Sequence, residues 1–259
     1  MSDEAVAEFV KRLAEAAGSN LLSVNLYGSS TTGEFHAKHS DVNLLCLFER
    51  LDAETLTHIN PVTQRWARKG HPAPLAFAAD ELARAADVFA IELVDIKASH
   101  RVLYGTDLLA SINVPMALHH LEVERELRQA LVRLREHYLA GDGSRKTVLG
   151  LMTASISSVA VLFRHAVIAL EAPDESTARS EVMKQPLRKR EAVDRLAAML
   201  GFDARPFHTV LDVREGKAAP RDVDADALFR QYLAAVTQVV HEVDRRLEER
   251  SPGMKGSRV

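Results

Sequence analysis

Leu26-Tyr27-Gly28-Ser29-Ser30-Thr31-Thr32-Gly33, followed by Ser40-Asp41-Val42-Asn43-Leu44-Leu45, is the stretch whose reading decides the fold. An apolar run, Leu21 to Tyr27, ends in Gly-Ser, and a second run, Val42 to Phe48, begins just after Ser-Asp. Runs of this length bounded by turn residues read as buried strands. Between them lies a polar loop with another glycine, Gly33. The pattern predicts a strand, a tight turn that exposes backbone N–H groups, and a carboxylate at the mouth of the next strand. Backbone amides at such a turn can cradle phosphate. A carboxylate nearby can hold the Mg²⁺ that accompanies it.

Upstream, Val6, Phe9, Val10, Leu13 and Ala17 have helical spacing, and Gly18 is a C-terminal stop. Downstream, Asp52 is placed to cap a helix running on from Ala53, and Pro61 is expected to break or restart it before Trp66 and Gly70. Pro72 and Pro74 lead into a short strand, Leu75 to Phe77, and Asp80 is expected to cap another short helix. Phe89 to Ile96 reads as a strand, and Arg101 to Tyr104 as a short one before Gly105. This alternation is the grammar of an α/β unit. From Leu118 the strand signals vanish. Helical patterns cover 118–139, 145–171, 176–184, 189–200, 205–214 and 223–249. Asp142 or Ser144 is expected to cap the second of these, and Asp222 or Asp224 the last. Long helices joined by short loops make an all-α helical bundle. The expected domains are therefore an α/β unit over 1–115 and a bundle over 116–250. The tail, 251–259, has Pro, two Gly and no apolar pattern, and reads as disordered.

The bulk properties bound the function. With 259 residues and 47% hydrophobic content, the chain can bury one large core or two modest ones. Its net charge of −3 carries no strong nucleic-acid signal. The single cysteine, Cys46, lies in the second apolar run and reads as a core residue. One cysteine and an N-terminus without a secretory apolar segment point to the cytoplasm. Val148 to Phe163 carries no charge, but its length of about 16 residues is short of a bilayer span, so it is expected to be a buried central helix and no membrane partner is implied.

Gly-Ser, a spacer with a further Gly, and Ser-Asp-Val-Asn at the start of the next strand resemble the polymerase-beta-type nucleotidyltransferase superfamily, whose signature ends in Asp-x-Asp. The resemblance covers about the first 105 residues. An α/β unit followed by a helical bundle is similar to the kanamycin-type and streptomycin-type aminoglycoside nucleotidyltransferases. It implies a mixed-sheet α/β domain that holds an NTP with Mg²⁺, and transfer of a nucleoside monophosphate to a hydroxyl on a small-molecule or macromolecular acceptor that the sequence does not name. Carried over residue by residue, Gly28 and Ser29 form the phosphate-binding turn, with Ser30, Gly33 and Ser40 completing the nucleotide set. Asp41 takes the place of the first metal-binding carboxylate and Asn43 the second. Glu92 or Asp95 supplies the third, in Ile91-Glu92-Leu93-Val94-Asp95-Ile96, with Glu92 favoured by the Arg101-Val102-Leu103-Tyr104 string that follows. Asp41, Asn43 and Glu92 are the expected catalytic set.

Two departures stand out. The loop is one residue longer than in many relatives, and the second acid is an amide. Strand alternation puts Asp41 and Asn43 on one face, but Asn is neutral, offers one oxygen and cannot bridge two divalent ions as a carboxylate does. Two functional readings follow: an Mg-dependent nucleotidyltransferase, or a catalytically degenerate nucleotide-binding or protein-interaction module. An antitoxin-like partner is a third and weaker reading.

Other constellations carry less. His36 and His39 precede Asp41 in the loop and read as exposed histidines rather than metal ligands. His119-His120 reads as a helix-start or interface feature. Arg188-Lys189-Arg190, Arg214 and Lys217 read as solvated helix ends or as triphosphate clamps. The Arg-to-His spacing of HEPN ribonucleases does not occur after residue 115. The long apolar bundle helices suit a homodimer.

Overall fold

In the computed structural model, residues 3–32, 42–171 and 187–250 are described. Seven residues, Leu21–Tyr27, form β1, and six, Asn43–Phe48, form β2. They pair antiparallel, Val24 against Cys46 and Tyr27 against Asn43. On its other edge β1 pairs antiparallel with β4 (His100–Gly105), Tyr27 facing His100. β2 pairs in parallel with β3 (Leu75–Ala78), giving a mixed sheet in the order β3-β2-β1-β4.

Alternation along β2 sorts its apolar side chains onto two faces. Leu44, Cys46 and Phe48 join Val24 and Leu26 against α1 (Asp3–Ala17), through Phe9 and Leu13, and against α3 (Ala53–Arg68), through Ile59 and Trp66. Leu45 and Leu47 face the other way, onto Leu82 of α4 (Ala79–Arg84) and onto Leu93 and Ile96 of α5 (Ala90–Ala98). The short helix Ser29–Thr32, α2, follows β1 directly.

Three expectations are corrected in this unit. Phe89 to Ile96 is not a strand: Ala90–Ala98 is helix α5. Both edges of β1 are taken, by β2 and β4, so the segment does not enter the middle of the sheet. Its polar residues Glu92, Asp95 and Ser99 recur at helical intervals and leave Leu93, Val94 and Ile96 for the core. Pro61 does not interrupt α3, which runs unbroken to Arg68. An interior proline costs a helix about 3 kcal/mol. Burial of Ile59 on one side of it and Trp66 on the other, with Trp66 Nε1 donating to Pro72 O at 3.0 Å, offsets that loss. Asp80 lies inside α4, whose N-cap is Ala78, and the Ala78 N–H donates to Glu81 Oε2 at 3.3 Å. Asp52 does cap α3, accepting from Thr55 N at 2.9 Å.

The chain divides into two compact units between Pro115 and Met116. The second is helical: α6 (His119–Ala140), α7 (Arg145–Glu171), α8 (Lys189–Leu200), α9 (Arg205–Arg214) and α10 (Ala225–Arg250). The pattern expected over 176–184 and the tail over 251–259 lie outside the described residues. By length and composition α7 could cross a membrane. Here it is the central helix of the unit, packed by α6, α8, α9 and α10, with Met152, Ile156 and Phe163 fully buried. Phe163, Phe207 and Tyr232 form an aromatic chain through this core, with ring centroids 5.0 and 4.9 Å apart. The N-terminus of α7 is capped by Ser144, whose Oγ accepts from Thr147 N at 3.3 Å. Asp224 caps α10, accepting from Ala227 N at 3.0 Å.

Candidate functional site

Gly28 ends β1 with a φ of 82°, a left-handed conformation that an L side chain resists. A Cβ there would stand 3.0 Å from Asn43 Nδ2. The turn is closed by Thr31, whose N–H donates to Gly28 O at 3.0 Å and whose Oγ1 lies 2.8 Å from the same oxygen. The backbone of Ser29 and Ser30 opens α2. The Ser30 hydroxyl is buried and has no hydrogen-bond partner among the described residues. Buried hydroxyls are almost always paired, so an orphan in a turn of this kind needs an explanation.

Asn43 starts β2 on the same face as Leu45 and Leu47, half-buried, opposite Tyr27 and against Gly28. From the same side, α5 brings up Glu92. Its carboxylate is exposed and stands close enough to Tyr27 to act on the phenol, which burial first and the Glu92 charge second push up to about 12. Asp95 lies one helical turn beyond Glu92 and is half-buried. On the strand expected over Phe89 to Ile96, residues three apart would point to opposite faces; on helix α5, Glu92 and Asp95 are neighbours instead.

Thus Gly28 and Asn43 meet at one end of the sheet, the turn carries Ser30, and α5, which carries Glu92, packs on the face that Asn43 shares with Leu45 and Leu47. Gly33, Ser40 and Asp41 lie outside the described residues, as do His36 and His39. Among the described residues no three His, Cys, Asp or Glu side chains converge as a metal group. What the described part offers is a carboxylate (Glu92) and an amide oxygen (Asn43), the oxygen donors that a hard cation takes together with water and phosphate.

The sequence missed three participants. Thr31 reaches from the turn to Ser99 O at the end of α5. Tyr27, next to the turn, packs on the cluster of Leu45, Leu47 and Leu93 that α5 covers. His100 has Nδ1 3.0 Å from Ile96 O and Nε2 3.0 Å from Asp107 Oδ1, joining the last turn of α5 to the loop after β4. A threonine three residues after a turn glycine is a local signal for the first; the partners of all three are tertiary.

Of the basic residues singled out in the second unit, Arg190, Arg214 and Lys217 are engaged there. Arg190 Nη2 is 2.8 Å from both Asp212 Oδ1 and Glu215 Oε2, and Lys217 Nζ is 2.6 Å from Glu215 Oε2. These cations hold the Glu215 carboxyl below its ordinary value against the opposing effect of burial. Arg214 donates to Thr153 O. His119 is buried at the start of α6, its Nε2 2.9 Å from His165 Nδ1.

No protein-family model matches the chain, and no curated protein matches its sequence. Among solved structures it is similar to a spectinomycin adenyltransferase from Enterococcus faecialis, determined with ATP and spectinomycin. The match covers 96% of this chain and 100% of that one, with a TM-score of 0.52 and 13% identity. The chain therefore has the fold of an aminoglycoside nucleotidyltransferase, a mixed-sheet α/β unit followed by an all-α helical bundle.

Proposed function

We propose that the chain is a nucleotidyltransferase that uses an NTP and a small-molecule hydroxyl acceptor. The observation that carries this reading is the Gly28 turn, left-handed and seated against Asn43 at the end of β1, with Glu92 brought to the same face by α5. The likeness in fold to an enzyme solved with ATP and an aminoglycoside supports it.

In this reading the turn at Gly28 and Ser29 holds the triphosphate, and the unpaired Ser30 hydroxyl is a donor waiting for a phosphate oxygen. Asp41 and Glu92 would hold one Mg²⁺, with the Asn43 amide oxygen as a weak third donor. When bound, that ion stabilises the charge that builds on the phosphoryl oxygens. The chain's own part is positional: the turn fixes the triphosphate so that an acceptor hydroxyl can approach the α-phosphorus in line. The new bond joins the acceptor oxygen to the α-phosphorus. The bond to the bridging oxygen breaks, pyrophosphate leaves, and the hydroxyl proton passes to solvent.

Asn43 favours a second reading, a nucleotide-binding module that has lost turnover, because it removes one negative charge from the metal side of the site. Calorimetric titration with ATP, GTP, CTP and UTP, each with and without Mg²⁺, tests both. Metal-dependent binding that disappears in Asp41→Ala is the expected result. Binding without turnover that Asn43→Asp converts into turnover selects the module. The absence of any nucleotide binding rejects both.

A further inference from the structure

Thr31 stands where the turn after β1 meets the far end of α5. Its Oγ1 contacts two carbonyl oxygens, Gly28 O at 2.8 Å and Ser99 O more closely. A hydroxyl has one proton to give. Gly28 O keeps the Thr31 N–H as a donor at 3.0 Å whichever way the hydroxyl turns, so an Oγ1 proton directed to Ser99 O leaves both carbonyl oxygens with a donor. Ser99 in turn closes α5: its N–H lies 3.2 Å from Asp95 O and 3.3 Å from Ile96 O, and its hydroxyl is 3.3 Å from Asp95 O. A single half-buried side chain thereby joins the turn to the last turn of the helix that carries Glu92, across 68 residues of sequence. The contact of His100 Nδ1 with Ile96 O holds the same helix end from β4.

We propose that Thr31 is a positioning residue that couples the Gly28 turn to α5, so that filling the turn with nucleotide phosphates fixes the placement of Glu92. The proposal rests on the nucleotide site described above and adds to it a route between its two halves. The phosphates and Glu92 need no direct contact for this. A turn that tightens around a ligand carries Thr31 with it, and Thr31 carries the carbonyl of Ser99.

Hydrogen exchange of the full chain, followed by mass spectrometry with and without MgATP, tests the coupling in wild type, Thr31→Val and Thr31→Ser. Valine keeps the branched shape and removes the proton; serine keeps the proton. Without nucleotide, loss of this hydrogen bond should speed exchange at residues 96–101 of Thr31→Val about fivefold, with residues 116–250 unchanged and Thr31→Ser close to wild type. With MgATP, wild type should gain protection at both 28–32 and 90–99, and Thr31→Val at 28–32 alone, with the affinity for ATP little changed. Wild-type exchange at 96–101 in Thr31→Val, or ATP protection of α5 that survives that substitution, overturns the coupling. So does Thr31→Ser opening α5 as widely as valine does, since its hydroxyl is retained. If ATP protects nothing in wild type, the nucleotide reading falls and the coupling falls with it. Faster exchange at 96–101 in nucleotide-free Thr31→Val would then still show the tether, which separates the two failures.

Discussion

Replacing Gly28 by alanine probes the geometry on which the candidate site rests. The residue has a φ of 82°, and placing an L-residue in the left-handed region costs about 1–2 kcal/mol. The new methyl would also stand 3.0 Å from Asn43 Nδ2, so the half-buried amide must give way. Displacing a packed neighbour adds about 1 kcal/mol at the low end of overpacking costs. Gly70 is the matched control: its φ is 87°, and a Cβ there meets nothing within 4 Å. Both substitutions gain about the same from a stiffer unfolded chain. The difference between Gly28→Ala and Gly70→Ala therefore isolates the contact with Asn43, and we expect it to be about 1 kcal/mol, with Gly28→Ala the less stable. Urea unfolding followed by tryptophan fluorescence reads this unit selectively, because the only tryptophan, Trp66, is buried in its core. Nucleotide affinity should fall in Gly28→Ala and hold in Gly70→Ala. Equal stability losses in the two variants would falsify the seating of Asn43 against the turn. An unchanged nucleotide affinity in Gly28→Ala would remove the turn from the proposed site.

The Asp52 cap makes the stability of the first unit depend on pH. Hydrogen bonds from Thr55 N, Arg50 and the Thr55 hydroxyl hold its carboxyl well below the usual carboxylate range. A folded-state value below the unfolded one, about 3.9, contributes stability above that pH and loses it as the pH falls through it towards the folded value. Asp52→Ala should therefore lower the Trp66-reported midpoint at neutral pH, by a margin that closes below about pH 4. A margin that stays constant down to acid pH would contradict the cap as drawn. Cys46 is 1% exposed, and burial pushes its thiol up to about 12. A chromogenic disulfide reagent at mildly alkaline pH should leave the native protein unlabelled and react once urea unfolds it; rapid labelling of the native chain would place Cys46 elsewhere than the core.

Much of this protein is readable from local pattern. Leu21 to Tyr27 is a strand because seven residues of apolar character end at a glycine that the next conformation needs. Asp52 caps α3, and α7, α8 and α9 keep the limits that their periodicity and flanking breakers assign. In each case the information lies within one or two turns of chain. The position of Asn43 is also local, since alternation along β2 assigns its face once the strand is recognised.

The remainder depended on competition between distant segments. Phe89 to Ile96 has the apolar density of a strand, but β4 takes the edge of β1 left open by β2, and the run satisfies its backbone as a helix that lays Leu93 and Ile96 on the sheet. That one exchange moves Glu92 from a strand to a helix and makes Asp95 its neighbour instead of its opposite. Pro61 reads as a break, yet the burial of Ile59 and Trp66 on either side keeps α3 whole. Arg190 reads as a solvated helix end, and the fold sets it between Asp212 and Glu215. The link from Thr31 to Ser99 joins residues whose sequence surroundings give no hint of each other. The sequence by itself determined where the chain turns and which residues seek the core. Which strand takes each sheet edge, and which polar groups then meet across it, was decided only when the tertiary structure allocated a limited set of backbone and charge partners.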